Sequence, residues 1–419
     1  MTVEPRHRTT RPVLVRRTRS APAGVQVVAA VLAALLPWAG LIKSALGLSL
    51  PIDPTVALVL VLAAVAVVQF AFELVVPPSL LAVAVLFLAV GLGLTNEPLS
   101  TVAEDKISRL FVLTLVGVSM AAIALQHPRQ LRVFILTTLV VTGSLAATSL
   151  LVGRTVGTSG REALGSTPIS TGQVAGAFAI VSLALVMSRR LPAWAGLGGA
   201  VLGTTACVAT GSRGPVAALI AGACVLLIAA SGSAPVRRIA AVGAAAVVVA
   251  FAAVAFAPDQ ALGRLGILLS GDPGTSGETR IYLAQVAARA ALDNPLTGIG
   301  WGNLNAVVPP GLGSIDQRVY AHNLVLEIAS EAGLIACAAA VVVLAVTWAR
   351  GWRGRRSADT LTVLTLFTYV LVAASFSGDL NDNRGVIVLM VATLNSARLA
   401  RSSQPAEPED ARPHPQRDG

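Results

Sequence analysis

Long apolar runs recur along this 419-residue chain from its N-terminal third to its C-terminal tail. A run of about 18 or more apolar residues can cross the hydrocarbon core of a bilayer as an α-helix. Only 12% of the residues are charged, about half the share of a typical soluble domain, and the alternating pattern of a membrane β-barrel is missing. The sequence therefore predicts an all-α, polytopic integral membrane protein.

The apolar runs divide into about twelve predicted transmembrane helices. They cover residues 25–48, 55–72, 79–94, 107–125, 132–152, 172–187, 193–210, 214–230, 239–257, 321–349, 360–376 and 385–397. The first run is interpreted as an uncleaved span, because it is longer than a signal-peptide core and no A-x-A-like cleavage site follows it. A basic tail, residues 1–24, precedes it. Residues 398–419 are rich in proline and charge and are predicted to be a disordered tail.

The distribution of arginine predicts the orientation of the chain. Arginines cluster in the N-terminal tail, in three loop pairs (Arg129 and Arg132, Arg189 and Arg190, Arg237 and Arg238), in the segment 350–356 and in the C-terminal tail. Cytoplasmic loops carry such an excess of positive charge. Both termini are therefore predicted to be cytoplasmic, in a multi-pass protein of the inner or plasma membrane. The same rule accounts for the net charge of +10, and because aromatic residues are not interleaved with the basic ones, nucleic acid is not a predicted partner.

This orientation divides the chain into five predicted regions. The two tails flank residues 25–257, which hold helices 1–9, residues 258–320, which form a large extracytoplasmic loop with an amphipathic helix, and residues 321–397, which hold helices 10–12. The positive-inside rule leaves the arginines on the extracytoplasmic side unexplained. They are the first candidates for a functional site.

Arg213 lies in the sequence TGSRGP between two predicted spans. Gly211 and Gly214 permit a tight turn, and Pro215 suits the first turn of the next helix. An arginine near a helix N-terminus at the membrane surface is a good site for an anion. The alternative is an ordinary interfacial arginine that snorkels to lipid headgroups.

Arg280 begins a predicted helix over residues 280–292, which ends at Asn294-Pro295 because proline cannot continue it. An arginine in that position can form a forked contact with a phosphate, or it can be a solvated charge at a helix start. The sequence Gly298-Ile-Gly-Trp-Gly-Asn303 follows. Its alternate glycines resemble a phosphate-binding nest, with a tight structural loop as the equal alternative.

His322 and Asn323 lie where the tenth predicted span begins, and His322 is the one histidine on the predicted extracytoplasmic side. Its unperturbed pKa of about 6.5 would suit proton transfer, although a lone histidine is often structural. Glu327 and Glu331 follow within the same apolar helix, where ionisable groups are costly and usually functional, unless they reach water. Arg384 belongs to a polar turn, 379–384, that either contacts sugar hydroxyls or is simply solvated.

Metal and disulfide sites are not predicted. The three cysteines, Cys207, Cys224 and Cys337, lie in apolar runs, without CxxC or Cys/His spacing. They are interpreted as small buried apolar side chains. The acidic residues on the predicted outer side form no compact ligand motif.

The order of these motifs is similar to a known pattern. An outer SRG between spans is followed by T-R, an amphipathic helix, N-P-L-x-G-x-G, A-H-N and a helix with E-x-G-L-I. Over about residues 205–340 the chain resembles the O-antigen ligase and polymerase superfamily of bacterial envelope glycosyltransferases. The resemblance implies a GT-C-like membrane enzyme that acts on a glycan linked to a polyprenyl diphosphate, such as undecaprenyl diphosphate, at the outer leaflet. It also implies that the enzyme needs no metal or other cofactor.

The same resemblance assigns roles to individual residues. It implies that Arg213 and Arg280 hold the diphosphate, where they would stabilise the charge of the leaving group, and that His322 activates the acceptor hydroxyl or orients the donor. Asn303, Asn323 and Arg384 are the further predicted substrate-binding residues. The predicted loop has few aromatic residues for stacking on sugars, namely Tyr282, Trp301 and Tyr320.

Two function classes follow from the sequence. The first is transfer of a lipid-linked glycan to a glycan, lipid or protein acceptor, and the motifs do not separate a ligase from a polymerase. The alternative is a transporter or flippase for a polysaccharide or a lipid-linked oligosaccharide, which twelve spans would suit. The sequence lacks related halves and matching broken spans, and its polar residues gather on one membrane face, so transfer is favoured.

Overall fold

The computed structural model describes residues 20–46, 53–155, 161–162, 166–230, 274–309 and 319–403. The predicted ninth span, 239–257, and most of both predicted tails lie outside these residues, as does part of the predicted loop. The described residues are predominantly α-helical.

The helices are α1 (Ala23–Leu35), α2 (Ala39–Leu46), α3 (Pro54–Glu73), α4 (Ser79–Val90), α5 (Thr101–Ser108), α6 (Leu115–Ala124), α7 (Pro128–Val152), α8 (Pro168–Met187), α9 (Ala193–Ala209), α10 (Arg213–Ala230), α11 (Gly274–Asp293), α12 (Leu304–Val307), α13 (Leu324–Arg353), α14 (Ala358–Ala374) and α15 (Arg384–Ser402). Short 3₁₀ segments, Leu36–Trp38 and Gly91–Thr95, follow α1 and α4, and a π-helical turn, Arg109–Thr114, joins α5 to α6.

Within the described residues, six helical segments are long and apolar enough to cross a membrane. They are Ala23–Ala45, Pro54–Glu73, Thr101–Ala124, Pro128–Val152, Pro168–Met187 and Leu324–Arg353, and four further apolar helices are shorter. The prediction of an α-helical, multi-pass membrane protein is therefore confirmed. The number of twelve spans and the large loop stay predictions.

One element departs from the all-α prediction. Two-residue strands, β1 (Arg154–Thr155) and β2 (Arg161–Glu162), pair antiparallel after α7, with Arg154 opposite Glu162. A ribbon this short leaves no periodic signal in the sequence, because a period of two needs about four residues to be recognised.

The core of the bundle forms around the last two helices. α14 packs against α8, α10 and α15, while α15 also contacts α13 and α6. Every residue of α15 from Gly385 to Ala397 is buried. α13, α14 and α15 run in alternating directions, so the start of α13, the end of α14 and the start of α15 lie at one end of the bundle, where the candidate site is found.

Candidate active site

A break in α13 shapes one side of the site. Gly333 is non-helical, with φ 91° and ψ 169°, so the helix continues in a new direction after it. The break frees carbonyls that the glycine-rich turn uses: Ile299 N–H donates to Ser330 O at 2.8 Å and Gly300 N–H donates to Glu331 O at 3.1 Å. The N–H groups that a phosphate nest would offer are therefore engaged by α13, and the turn is a structural interlock.

Gly333 is one of the positions where this interlock depends on the lack of a side chain. A Cβ atom there would lie 2.5 Å from Leu296 O, and its φ is unfavourable for any other residue. We expect Gly333→Ala to destabilise the protein by about 1–3 kcal/mol or more, measured as a lower unfolding temperature in detergent. Gly198→Ala in α9 is the control, since nothing lies within 4 Å of that Cβ position. Equal stability of the two variants would contradict this account.

Arg213 and Arg280 meet beside the end of α14. Arg280 Nη1 donates to Phe376 O at 3.5 Å, and Gly214, next to Arg213, packs so closely on Phe376 that a Cβ there would lie 2.7 Å from its Cβ. Burial lowers the pKa of Arg280, Tyr320 opposes that shift, and the charge of Arg213 lowers the pKa further. Within the described residues, neither arginine forms an ion pair with a carboxylate. The two positive charges are thus close enough to act on each other, and neither is neutralised by a described carboxylate.

His322 lies close enough to Arg280 for the charge of the arginine to act on it. Its φ is +53°, a left-handed conformation, and its ring lies 4.4 Å from that of Tyr320 between centroids. Burial lowers the pKa of His322, and the charge of Arg280 adds to the effect, to about 4. The imidazole is therefore neutral at physiological pH. Its Nδ1 atom is buried and has no hydrogen-bond partner within the described part of the chain.

Asn323 fixes the start of α13 and ties it to α14. Its side-chain oxygen accepts hydrogen bonds from Val325 N–H at 3.0 Å and Leu326 N–H at 3.1 Å, as expected of an N-cap. Its amide nitrogen donates to Ser375 O at 3.2 Å. The N-cap thereby holds the preceding His322 next to the segment that Arg280 contacts. In this structure Asn323 holds the start of α13 in place, and its role in substrate binding stays a prediction.

Arg384 lies in a neighbouring cleft. Its Nε donates to Asn381 O at 3.0 Å, and it lines a cleft of about 340 Å³ together with Tyr320, Ser377 and Asp382. The opposite wall of the cleft consists of residues 37–44 and the start of α8. Tyr320 contacts His322 on one side and this cleft on the other, so the predicted Arg384 site adjoins the arginine–histidine cluster without being part of it.

Asn303 is separated from these residues. It is 3% exposed, and its amide is occupied on all sides: it accepts from Leu99 N–H and donates to Glu97 O and Ile299 O, each at 2.9 Å. These bonds fasten the glycine-rich turn to the segment before α5. The Asn303 side chain therefore stabilises the turn, and no described contact joins it to Arg213, Arg280 or His322.

A buried ion cluster lies beneath the site, and the sequence did not reveal it. Lys106 Nζ lies 2.6 Å from Glu327 Oε1 and 2.6 Å from Glu331 Oε2, and all three residues are at most 8% exposed. The Trp301 ring lies 5.5 Å from Nζ. The available signal was the pair of glutamates at i and i+4 in an apolar helix, which requires a buried cation. The lysine itself is more than two hundred positions away, so its identity was not deducible.

The lysine is linked to the polar turn of residues 379–384. Asn381 Nδ2 donates to Lys106 O at 3.2 Å, and Thr114 Oγ1 donates to Asn381 Oδ1 at 3.3 Å. This turn is therefore not merely solvated, because Asn381 and Asn383 are both buried. Among the described residues, no group of three or more His, Cys, Asp or Glu side chains could hold a metal ion. Independence from metal stays a prediction.

Comparison with known proteins gives one family. Residues 198–341 match a family model described as O-antigen ligase. The matched segment contains Arg213, Arg280 and His322, and it covers about a third of the 419 residues. No curated protein and no solved structure gives a significant match. The resemblance to the O-antigen ligase and polymerase superfamily is thereby confirmed, and the match is consistent with a glycosyltransferase-type enzyme.

Proposed function

We propose, on the premise that residues 198–341 are an O-antigen ligase segment, that this chain transfers a glycan from a polyprenyl-diphosphate carrier to an acceptor. The reaction would take place on the extracytoplasmic face, with both termini in the cytoplasm. The acceptor is a growing glycan in a polymerase, or a lipid or protein in a ligase. The observation that carries the proposal is the convergence of Arg213, Arg280 and neutral His322 near the end of α14. They come from α10, from α11 and from the residue before the N-cap of α13.

The two arginines suit the donor. A diphosphate carries negative charge on adjacent phosphoryl groups, and guanidinium groups form forked hydrogen bonds with such oxygens. When the glycosidic C–O bond breaks, further negative charge develops on the leaving diphosphate. Cations already fixed at that position stabilise the transition state without reorganising. Arg213 and Arg280 are free of carboxylate partners in the described residues, as this task requires.

His322 suits the acceptor. The attacking hydroxyl must lose its proton as the new glycosidic bond forms, and a neutral imidazole with a free nitrogen can accept it. The lowered pKa keeps His322 neutral in the free enzyme. Once a diphosphate neutralises Arg280, one of the two causes of the low pKa disappears. The basicity of His322 is then expected to rise when the donor is bound.

This coupling gives a prediction for the pH dependence. The neutral form of His322 is present above its pKa and is lost as the pH falls through it, so activity is lost on the acid side. We expect kcat/KM, which reports the free enzyme, to have an acid limb near pH 4, the value to which the pKa is lowered. The acid limb of kcat, which reports the complex, should lie at higher pH. Initial rates with purified enzyme between pH 3.5 and 8 measure both.

His322→Gln is the matched variant, because it keeps a polar side chain of similar reach. It should remove the acid limb and lower kcat by about 10²–10⁴-fold. An acid limb that persists in His322→Gln would assign the titration to another group. Coinciding limbs of kcat and kcat/KM in the unchanged protein would contradict the coupling to Arg280.

The proposed reaction is tested by product analysis. Purified full-length protein is incubated with a polyprenyl-diphosphate-linked glycan and an acceptor, and release of the free polyprenyl diphosphate is followed. In cells that lack the gene, single repeat blocks left on the carrier indicate a polymerase, and intact long chains stranded on the carrier indicate a ligase. Precursor that accumulates at the inner leaflet, together with no transfer in the purified reaction, would instead support the transporter.

A further inference from the structure

An arginine-lined cleft lies at the end of the bundle opposite the candidate active site. α13 begins beside His322 and ends at Arg353, and α15 begins at Arg384 and ends at Ser402. The far ends of these helices border a cavity of about 640 Å³. Its lining contains five arginines and a single acidic residue: Arg132, Arg190, Arg353, Arg356, Arg401 and Asp359.

The one carboxylate of the cleft organises two of the arginines. Asp359 pairs with Arg190 Nη1 and lies 3.7 Å from Arg132 Nε, and its side chain is only 11% exposed. Arg353, Arg356 and Arg401 form no ion pair with any carboxylate that the structure describes. The cleft therefore keeps a net positive charge. The positive-inside rule accounts for the sign of this charge, but it does not require arginines from four chain segments to converge on one cavity.

An apolar groove adjoins the cleft. Its volume is about 420 Å³, and it shares Arg132 and Arg190 with the cleft. Ile135 and Leu136 of α7 and Leu185 of α8 complete its lining. These residues lie within about two turns of the ends of their helices, both of which are long and apolar enough to span the membrane. A cationic cleft thus continues into an apolar surface of the membrane-spanning part.

We propose that the cleft and the groove together bind an anionic phospholipid. Its phosphate would lie among the arginines, which form charge-assisted hydrogen bonds to phosphoryl oxygens. An acyl chain would lie against the exposed Leu136, above the buried Ile135 and Leu185. Basic pockets between spans on the cytoplasmic side recognise lipid headgroups in this way. A soluble phosphate compound would use the cleft alone, and the groove is the observation that favours a lipid.

The test uses purified full-length protein in a neutral detergent. It is titrated separately with short-chain phosphatidylglycerol, short-chain phosphatidylcholine and glycerol phosphate, and binding is measured by the rise in unfolding temperature and by native mass spectrometry. We expect phosphatidylglycerol to bind and the other two to bind more weakly. In the double variant R353Q/R401Q, affinity for phosphatidylglycerol should fall by about 25-fold, or about fivefold per arginine.

R398Q is the matched control, since Arg398 is exposed on α15 and does not line the cleft. Its affinity should stay unchanged. Arg353 and Arg401 have no described carboxylate partner to lose, so the double variant should fold, and R356Q alone provides a second, milder variant. Equal binding of phosphatidylglycerol and phosphatidylcholine, or equal affinity of R353Q/R401Q and R398Q, would overturn the site. Glycerol phosphate that binds as well as phosphatidylglycerol would overturn the lipid as its ligand.

Discussion

Replacing Arg280 with alanine is expected to lower the rate of glycan transfer by about 10²–10³-fold, the usual effect of removing one fixed group that stabilises transition-state charge. Arg280 is held by Phe376 O at 3.5 Å and has no carboxylate partner in the described residues. Its guanidinium is therefore poised for an external anion. Arg280→Lys keeps the charge but loses the planar fork, so its rate should lie between those of the unchanged protein and Arg280→Ala.

Arg289→Ala is the matched control for this prediction. Arg289 is an exposed arginine on the same helix, α11, so its loss removes the same charge at a site away from Phe376. Initial rates over a range of donor concentrations, up to saturation, separate kcat from KM for all three variants. If Arg280→Ala and Arg289→Ala transfer glycan equally well, Arg280 has no role in the reaction.

The double variant Arg213→Ala/Arg280→Ala tests whether the two arginines act on one group. When two residues stabilise the same developing charge, replacing both lowers the rate by less than the product of the two single effects. The first replacement already removes much of the stabilisation that the pair provides. We expect such non-additivity here, since the charge of Arg213 acts directly on Arg280. Fully multiplicative effects would indicate that the two arginines contact separate parts of the substrate.

Local chemistry made the individual elements predictable from the sequence. Apolar runs identify spans because a bilayer demands about 20 consecutive apolar residues, and the Asn294-Pro295 pair correctly predicted the end of α11 at Asp293. The motif order led to Arg213, Arg280 and His322, which the structure brings to one region. The sequence alone does not show that these residues are close together. Arg280 and Gly214, the neighbour of Arg213, both contact Phe376, and nothing in the sequence distinguishes that residue.

Long-range pairing accounts for what the sequence could not provide. From the sequence, the turn that contains Ile299 and Gly300 resembled a phosphate nest. In the structure their N–H groups donate to Ser330 O and Glu331 O, which are available because α13 is broken at Gly333. Asn303 also resembled a substrate ligand, and two of its three backbone partners, Glu97 O and Leu99 N–H, lie about two hundred positions earlier in the chain. A polar group in isolation predicts only that it needs a partner, since burial makes an unpaired one costly.

Replacing Lys106 with methionine is expected to destabilise the protein by about 3–5 kcal/mol, because it leaves two carboxylates buried without a cation. Lys106 Nζ is 2.6 Å from both Glu327 and Glu331, which are at most 1% exposed. Glu327 belongs to the first turn of α13, directly after His322 and Asn323. Lys106→Met should therefore lower the unfolding temperature in detergent. It should also lower the rate of glycan transfer, because the start of α13 next to His322 would be displaced.

Glu331→Gln provides the decisive contrast, because it leaves one lysine facing one glutamate. One positive and one negative charge then remain in the cluster, and the glutamine side chain has nearly the same shape as the glutamate that it replaces. We expect this variant to be much more stable than Lys106→Met, and the triple variant Lys106→Met/Glu327→Gln/Glu331→Gln to recover much of the loss, since a buried ion cluster replaced as a whole costs little. If Glu331→Gln unfolds at the same temperature as Lys106→Met, the geometry of the hydrogen bonds matters more than the charge balance. The cluster would then hold the start of α13 by shape, and the effect of Lys106 on glycan transfer would follow from lost packing.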